Sequence, residues 1–491
     1  MAYYAGFDCS TQGLSVVVID SQRREVVYRD SIDFDPPFLP SPDCAVVHAS
    51  PGVWTNALTL VMQSLGARFG DRPLGAISGS AQQHGSVYCG KTPNILTRAT
   101  SPIWMDSSTG RECDEIEAAL GGPMAVARLT GSRAYPRFTG PQIRKFFHDD
   151  PEGYARTHRI HLVSSFMASV LVGRHVPLDH ADGSGANLMD IRARQWSAEA
   201  LKATAPDLAR RLPALVPSTE CVGSLAESWQ HRIGMPAVPV VAWSGDNPCS
   251  LVGTGLLQEG QLAISLGTSD TIFGPMNEPR VSDNGLGHVF ASPIGYYMGI
   301  TVFRNGSLAR ERVRDAFGLS WTEFSDGLAR TPPGNDGAAI LPWFEPEITP
   351  RVLRAGVRRF GLELASPARH VRAIVEAQAM ALARHSRWMG VTPKTIYATG
   401  GAAANREILQ VIADVFDADV YQFESTDSAA LGAALRAYQA DSRLPWSEAV
   451  DGFVSPLRGS HIRPVRAHVQ VYDRLRPLYD AREREALVSP E

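Results

Sequence analysis

No charge of one sign dominates the 491 residues: 47 Lys and Arg stand against 51 Asp and Glu, a formal net charge of −4. That balance leaves no basic field to hold a nucleic acid or an anionic membrane. No apolar run approaches the roughly 20 residues of a membrane-spanning helix; the longest, Phe166 to Gly173, is far shorter. Cysteine is scarce. Cys9, Cys44, Cys89, Cys113, Cys221 and Cys249 are irregularly spaced with no C-x-x-C pair. A disulfide framework or zinc ribbon is therefore not expected, and reduced thiols of a cytoplasmic protein are. The opening, Met1 to Asp8, lacks the basic stretch of a signal peptide. With 44% hydrophobic and 20% charged residues the chain is globular. It is too long for one ordinary domain.

Tyr3 to Asp8 reads as a strand, Cys9 to Gly13 as a small polar turn, and Leu14 to Ile19 as a second strand. Trp54, Leu58, Val61, Leu65 and Phe69 fall at helical spacing, and a strand ends near Gly79. The opening pattern recurs about half a chain later. Gln261 to Leu266 is a strand, Gly267 to Asp270 a polar turn, and Thr271 to Phe273 another strand. Two halves that each open on a polar-tipped hairpin suggest a duplicated α/β domain. The later half continues with a helix over Val371 to Met389, a strand over Lys394 to Ala398 and a Gly-rich turn. A helix to Phe416, a strand over Val420 to Gln422 and a helix over Ala429 to Tyr438 follow. The Gly-rich stretch 245–260 reads as the boundary between domains 1–250 and 251–491, and segments 34–42 and 331–350 as loops.

Gly85 to Thr92 matches the phosphate-loop pattern G-x-x-x-x-G-K-[ST] letter for letter. That motif needs a helix starting at its Lys. Pro93 and Pro102 forbid one after Lys91, and Val87 and Tyr88 read as strand, so the match is rejected.

The turns at Asp8 to Gly13 and Gly267 to Thr271 could surround phosphate oxygens with backbone N–H groups and hydroxyls. Asp8 could hold Mg²⁺ directly or through water. Gly400, Gly401 and Ala402 before Asn405 would let backbone approach a flat ring or a phosphate. Asp246 follows a buried strand and precedes Asn247 and Pro248, which reads as the first residue of a helix. Its carboxylate could cap the next helix or accept a proton from a substrate hydroxyl. His84 could hydrogen-bond a polar substrate. Asn305-Gly306-Ser307 matches a glycosylation pattern, without meaning in a cytoplasmic protein.

Taken in order, these segments resemble the FGGY carbohydrate kinase family over nearly the whole chain. The resemblance rests on Gly6 to Gln12, Ser80 to Ser86, Trp104 to Ser108, Arg137 to Gly140, Asp182 to Leu188 and Ser244 to Pro248. It continues at Ser265 to Thr271, Asn305 to Leu308 and Gly400 to Ala402. It implies two actin-like (ribonuclease H-like) α/β domains around a central cleft. It implies a sugar held by His84, Arg137, Asp246 and Asn247, with Asp246 as general base. ATP would lie against Gly400, Gly401, Ala402 and Asn405, with Trp321 near the adenosine. Ser10, Thr11, Gln12, Gly267 and Thr268 would cradle its phosphates, and Asp8 would serve Mg²⁺. The motif forms resemble the branch that phosphorylates D-xylulose, which implies that acceptor; L-xylulose, D-ribulose or glycerol, or a silent ATP-binding sensor on the same fold, are the alternatives. A homodimer is common in the family.

Overall fold

A computed structural model describes residues 3–72, 74–423 and 427–488. Its organising feature is one sheet pattern used twice. In the first lobe, strands β1 (Tyr3–Cys9), β2 (Gly13–Asp20) and β3 (Glu25–Asp33) form an antiparallel meander. β4 (Leu74–Ala81) joins β1 in parallel, followed by β5 (Cys221–Ser224), β6 (Pro239–Val241) and the short β7 (Ser244–Gly245). The order is β5-β6-β4-β1-β2-β3, with β7 also on β4. In the second lobe, β8 (Gln261–Leu266), β9 (Asp270–Met276), β10 (His288–Ala291) and β11 (Tyr297–Phe303) are antiparallel neighbours. β12 (Thr395–Thr399) and β13 (Asp419–Gln422) extend β8 in parallel, giving the order β10-β11-β9-β8-β12-β13. Meander plus parallel extension in both halves bears out the expected duplication.

Helix α1 (Pro51–Phe69) buries Trp54, Leu58, Val61 and Leu65 against the first sheet. Two helices then fill the space between the sheets: α2 (Asp246–Gly253) and α6 (Ser428–Ser442). Their core joins Tyr4, Val17 and Ala76 of the first sheet to Ala263, Phe273 and Ile300 of the second. The helices touch through glycine. A methyl on Gly253 would lie 1.9 Å from the Ser428 carbonyl oxygen, and one on Gly432 1.9 Å from that of Cys249. The outer face of the second sheet carries α3 (Trp321–Arg330), α4 (Pro367–Ser386), α5 (Arg406–Phe416) and α7 (Arg466–Val488).

Arg436 of α6 is fully buried in the first lobe. Its guanidinium donates to the carbonyls of Gly79 (3.2 Å), Ser218 (2.6 Å) and Ala242 (2.5 Å), and stands 3.9 Å from the Asp179 carboxylate.

Three local expectations need correction. Residues 331–350 are not all loop, because Ala339–Leu341 forms a strand with Arg358–Phe360. The helix expected from Val371 starts at Pro367, a residue suited to a first turn, and ends in a 3₁₀ turn over Arg387–Met389. Pro248 is not the first residue of its helix; α2 begins at Asp246. Around Lys91 the chain forms strand Ser86–Cys89 and no helix follows, as its prolines require.

Candidate active site

Strand register assembles the first wall. Asp8 on β1 pairs with Ser80 on β4, which pairs with Ser244 on β7, so three polar side chains end adjacent strands. Asp8 Oδ1, Ser80 Oγ and Ser244 Oγ are buried and complete no hydrogen bond. Burial pushes the Asp8 carboxyl up to about 6; the Ser80 hydroxyl offsets part of this, and the negative charge of Asp427 adds to it. Asp8 also lines a cavity of about 340 Å³ with Ser10, Gln12, Asp33 and Asp427.

Asp246 heads α2. Its Oδ1 accepts from Asn247, through the backbone N–H (2.8 Å) and Nδ2 (3.0 Å). No capping bond to the next turn forms, so the cap reading fails. Burial, then repulsion from Asp8, pushes its carboxyl up to about 7. The Asn247 amide is held on its other side by Gln83 Oε1, 2.9 Å away. Sequence reasoning gave Gln83 no role, since only the fold brings it under α2. Asp182 lies nearby with Oδ1 unpartnered and Oδ2 accepting from Ser164 Oγ at 2.5 Å.

His84 takes a left-handed backbone conformation (φ 74°). Its Nδ1 lies 2.7 Å from the Gly185 carbonyl, which can only accept. Nδ1 therefore carries the proton and Nε2 is left as an acceptor. Burial and the Arg137 charge lower its pKa to about 3, so the ring stays neutral. Arg137 donates to His288 Nε2 (2.9 Å) and lies over the Tyr135 ring.

The first hairpin tip is partly committed. Ser10 Oγ donates to the Gly13 carbonyl, Thr11 Oγ1 accepts from the Trp104 indole (2.8 Å), and the Gln12 side chain is exposed. On the second lobe, Gly267 and Thr268 form the turn between β8 and β9. The Ser307 N–H bonds the Gly267 carbonyl, and Gly306 packs so close that a methyl there would lie 2.7 Å from the Thr268 oxygen. A buried network pins this turn: Arg310 grips Asp270 at 2.9 and 3.1 Å and reaches Gln378, whose amide donates to the carbonyls of Asn305 and Gly306. The Asn305 motif thus shapes a turn.

Gly400 has φ 86°, and a methyl there would lie 2.6 Å from the Leu266 oxygen, while Gly401 faces open space. Ala402 follows in a 3₁₀ turn. The Asn405 side chain is occupied: Oδ1 caps α5 and Nδ2 donates to Ser325 Oγ at 2.7 Å. It organises this wall through α3 and α5. Trp321 opens α3 with 45% of its surface exposed and the Arg314 guanidinium 4.5 Å from its ring centre.

Two turns of small residues thus lie on opposing lobes, and the helix between the sheets is headed by a carboxylate with no ion pair among the described residues. Residues 3–253 match the N-terminal domain of the FGGY family of carbohydrate kinases, and residues 262–440 its C-terminal domain. The chain belongs to the FGGY carbohydrate kinases. It is 40% identical to a xylulose kinase of Rattus norvegicus, over 98% of this chain and 96% of that one. It is 42% identical to xylulose kinase 2 of Arabidopsis thaliana, over 88% and 86%. The fold matches a ligand-bound xylulose kinase structure from Lactobacillus acidophilus with a TM-score of 0.88, at 19% identity over 100% of this chain and 99% of that one. As an FGGY kinase the chain is an enzyme that phosphorylates a carbohydrate with ATP. Among the described residues no helix is long and apolar enough to cross a membrane.

Proposed function

We propose that this kinase transfers the γ-phosphoryl group of ATP to the terminal hydroxyl of D-xylulose, giving D-xylulose 5-phosphate, with Asp246 as general base. One observation carries the mechanism. Asp246 is a carboxylate held by hydrogen bonds from Asn247, with a pKa raised to about 7. A base of that strength is matched to an alcohol proton near neutral pH. The names of the rat and Arabidopsis relatives support the sugar.

Asp246 takes the hydroxyl proton as the oxygen bonds to phosphorus and the bond to ADP breaks. Asn247, fixed by Gln83, holds the sugar oxygen beside the base. His84 Nε2 accepts from a sugar hydroxyl, and Arg137 donates to a sugar oxygen. Residues 1–250 carry the sugar side and 251–491 the nucleotide side. The N–H groups of Thr11 and Gln12, in the turn after Ser10 on the first lobe, and those of the turn Gly267 to Thr268 on the second donate to phosphate oxygens. Gly400, Gly401 and Ala402 form the floor under the nucleotide, with Asn405 bracing it and Trp321 beside the adenosine.

Asp8 fits a divalent cation: its buried Oδ1 lacks a partner, and the charges nearest it are acidic. Asp8 would hold Mg²⁺ through this carboxylate, and the bound ion would offset phosphate charge. The test is ATP consumption over a panel of D-xylulose, L-xylulose, D-ribulose and glycerol, scored by product position. D-xylulose 5-phosphate as the preferred product is expected. Preference for another acceptor, or ATP binding without turnover, overturns the reading.

A further inference from the structure

Arg137 is a half-buried cation. Among the described residues no carboxylate pairs with it, its Nε–H is buried without a partner, and burial lowers its pKa. An unpaired charge in that position is costly unless something electron-rich completes the site. The partner it does have comes from the other half of the chain. His288, at the start of β10, places Nε2 2.9 Å from the Arg137 guanidinium. A guanidinium only donates, so His288 Nε2 is a bare acceptor and the ring is neutral. Burial and the Arg137 charge keep it so. The ring is clamped among Tyr135, Phe138 and Phe290, with centroids 4.9, 5.5 and 6.2 Å away. β10 is tied to the first lobe by the Val289 N–H bonding the Gly131 carbonyl at 3.0 Å. A cavity of about 400 Å³ is lined in part by Tyr135.

A neutral acceptor aims the guanidinium without spending its charge. A carboxylate in place of His288 would aim it equally well and cancel it. The corner then offers N–H donors and a positive charge. A carbonyl oxygen suits it, having lone pairs and no hydrogen to place. A hydroxyl oxygen suits it less, because it must also find an acceptor for its own hydrogen, which a carbonyl oxygen need not.

We propose that His288 is the positioning residue that makes Arg137 a reader of the substrate's carbonyl oxygen, so that the enzyme prefers a ketose to the polyols obtained by reducing it. This rests on the sugar-side assignment of Arg137 above. The test compares wild type with His288→Leu, His288→Gln and His288→Glu. It measures kcat and KM for D-xylulose and ATP, inhibition constants of the C2-reduced polyols xylitol and D-arabinitol, and thermal unfolding. Gln keeps a neutral acceptor near the Nε2 position, Glu keeps the hold but cancels the charge, and Leu removes both. Expected for His288→Leu and His288→Glu is a rise of at least about tenfold in KM for D-xylulose, with KM for ATP unchanged and preference over the polyols lost. His288→Gln is expected to stay within about fivefold of wild type on each, since its acceptor is retained. The proposal is overturned if His288→Glu, folded as wild type, keeps the ketose preference, or if His288→Gln is impaired as far as His288→Leu. If wild type turns over another acceptor, the D-xylulose reading falls, and the same variants are scored on that acceptor against its form with carbonyl and hydroxyl exchanged. Unchanged preference there overturns the role of His288 as well.

Discussion

Arg436 donates a 2.5 Å hydrogen bond to the Ala242 carbonyl, four residues ahead of Asp246. The same guanidinium holds the Gly79 carbonyl, just before Ser80, and faces Asp179. One side chain from the second half of the chain thus ties together the strand ends that present the base. Arg436→Met is expected to lower unfolding free energy by about 3–5 kcal/mol, the usual cost of leaving one member of a buried pair uncompensated. Urea denaturation measures it. A loss below about 1 kcal/mol would show that the clamp is dispensable.

Asp246→Ala should keep ATP binding and lose turnover by roughly several hundredfold or more, the scale of a lost general base with lost positioning. Isothermal titration with a non-hydrolysable ATP analogue and steady-state assays read the two arms. Near-normal kcat would remove the base assignment.

The raised carboxyl of Asp246 makes a signed prediction about stability. Its pKa is about 7 in the folded protein, above the ordinary aspartate value of 3.8. The proton is therefore bound more tightly in the folded state. That contribution is complete below pH about 4 and is lost as pH rises to about 7, after which it is constant. Asp246→Asn has no such dependence. The variant should gain on wild type by about one to a few kcal/mol between pH 4.5 and 7.5 in ligand-free urea melts. An unchanged difference across that range contradicts the burial argument.

Trp321 stacks on Arg314 and leaves nearly half its surface open. Trp321→Ala should raise KM for ATP about tenfold, in line with the 1–3 kcal/mol of a base stacked on an aromatic ring. KM for the sugar should stay put. Equal changes in both constants would place the ring elsewhere.

Local pattern carried much of the fold. The hairpins at residues 3–20 and 261–276 were legible because a β-branched run, a small polar turn and a second run are a short-range signal. The strand–turn–helix unit at 395–416 was legible for the same reason. The site was legible only where motif order marked it. Asp246 alone read better as a helix cap, and the environment that decides otherwise is three-dimensional: Asp8 arrives from β1 and Gln83 from the end of β4. His288 carried no signal at all, because its partner is 151 residues away. Asn305 carried a misleading one, and its place under the Gly267 turn appears only once Gln378 of α4 is packed against it.

The wedging of α6 between the sheets bears on how the chain is made. As the protein leaves the ribosome, the inner face of its first sheet lacks this cover until residues 428–442 emerge, long after the last of its own strands. The glycine contacts that seat this helix, at Gly253 and Gly432, leave no space for even one extra methyl. The first lobe is thus a waiting partner rather than an early finished product, and its apolar face needs shelter during that wait.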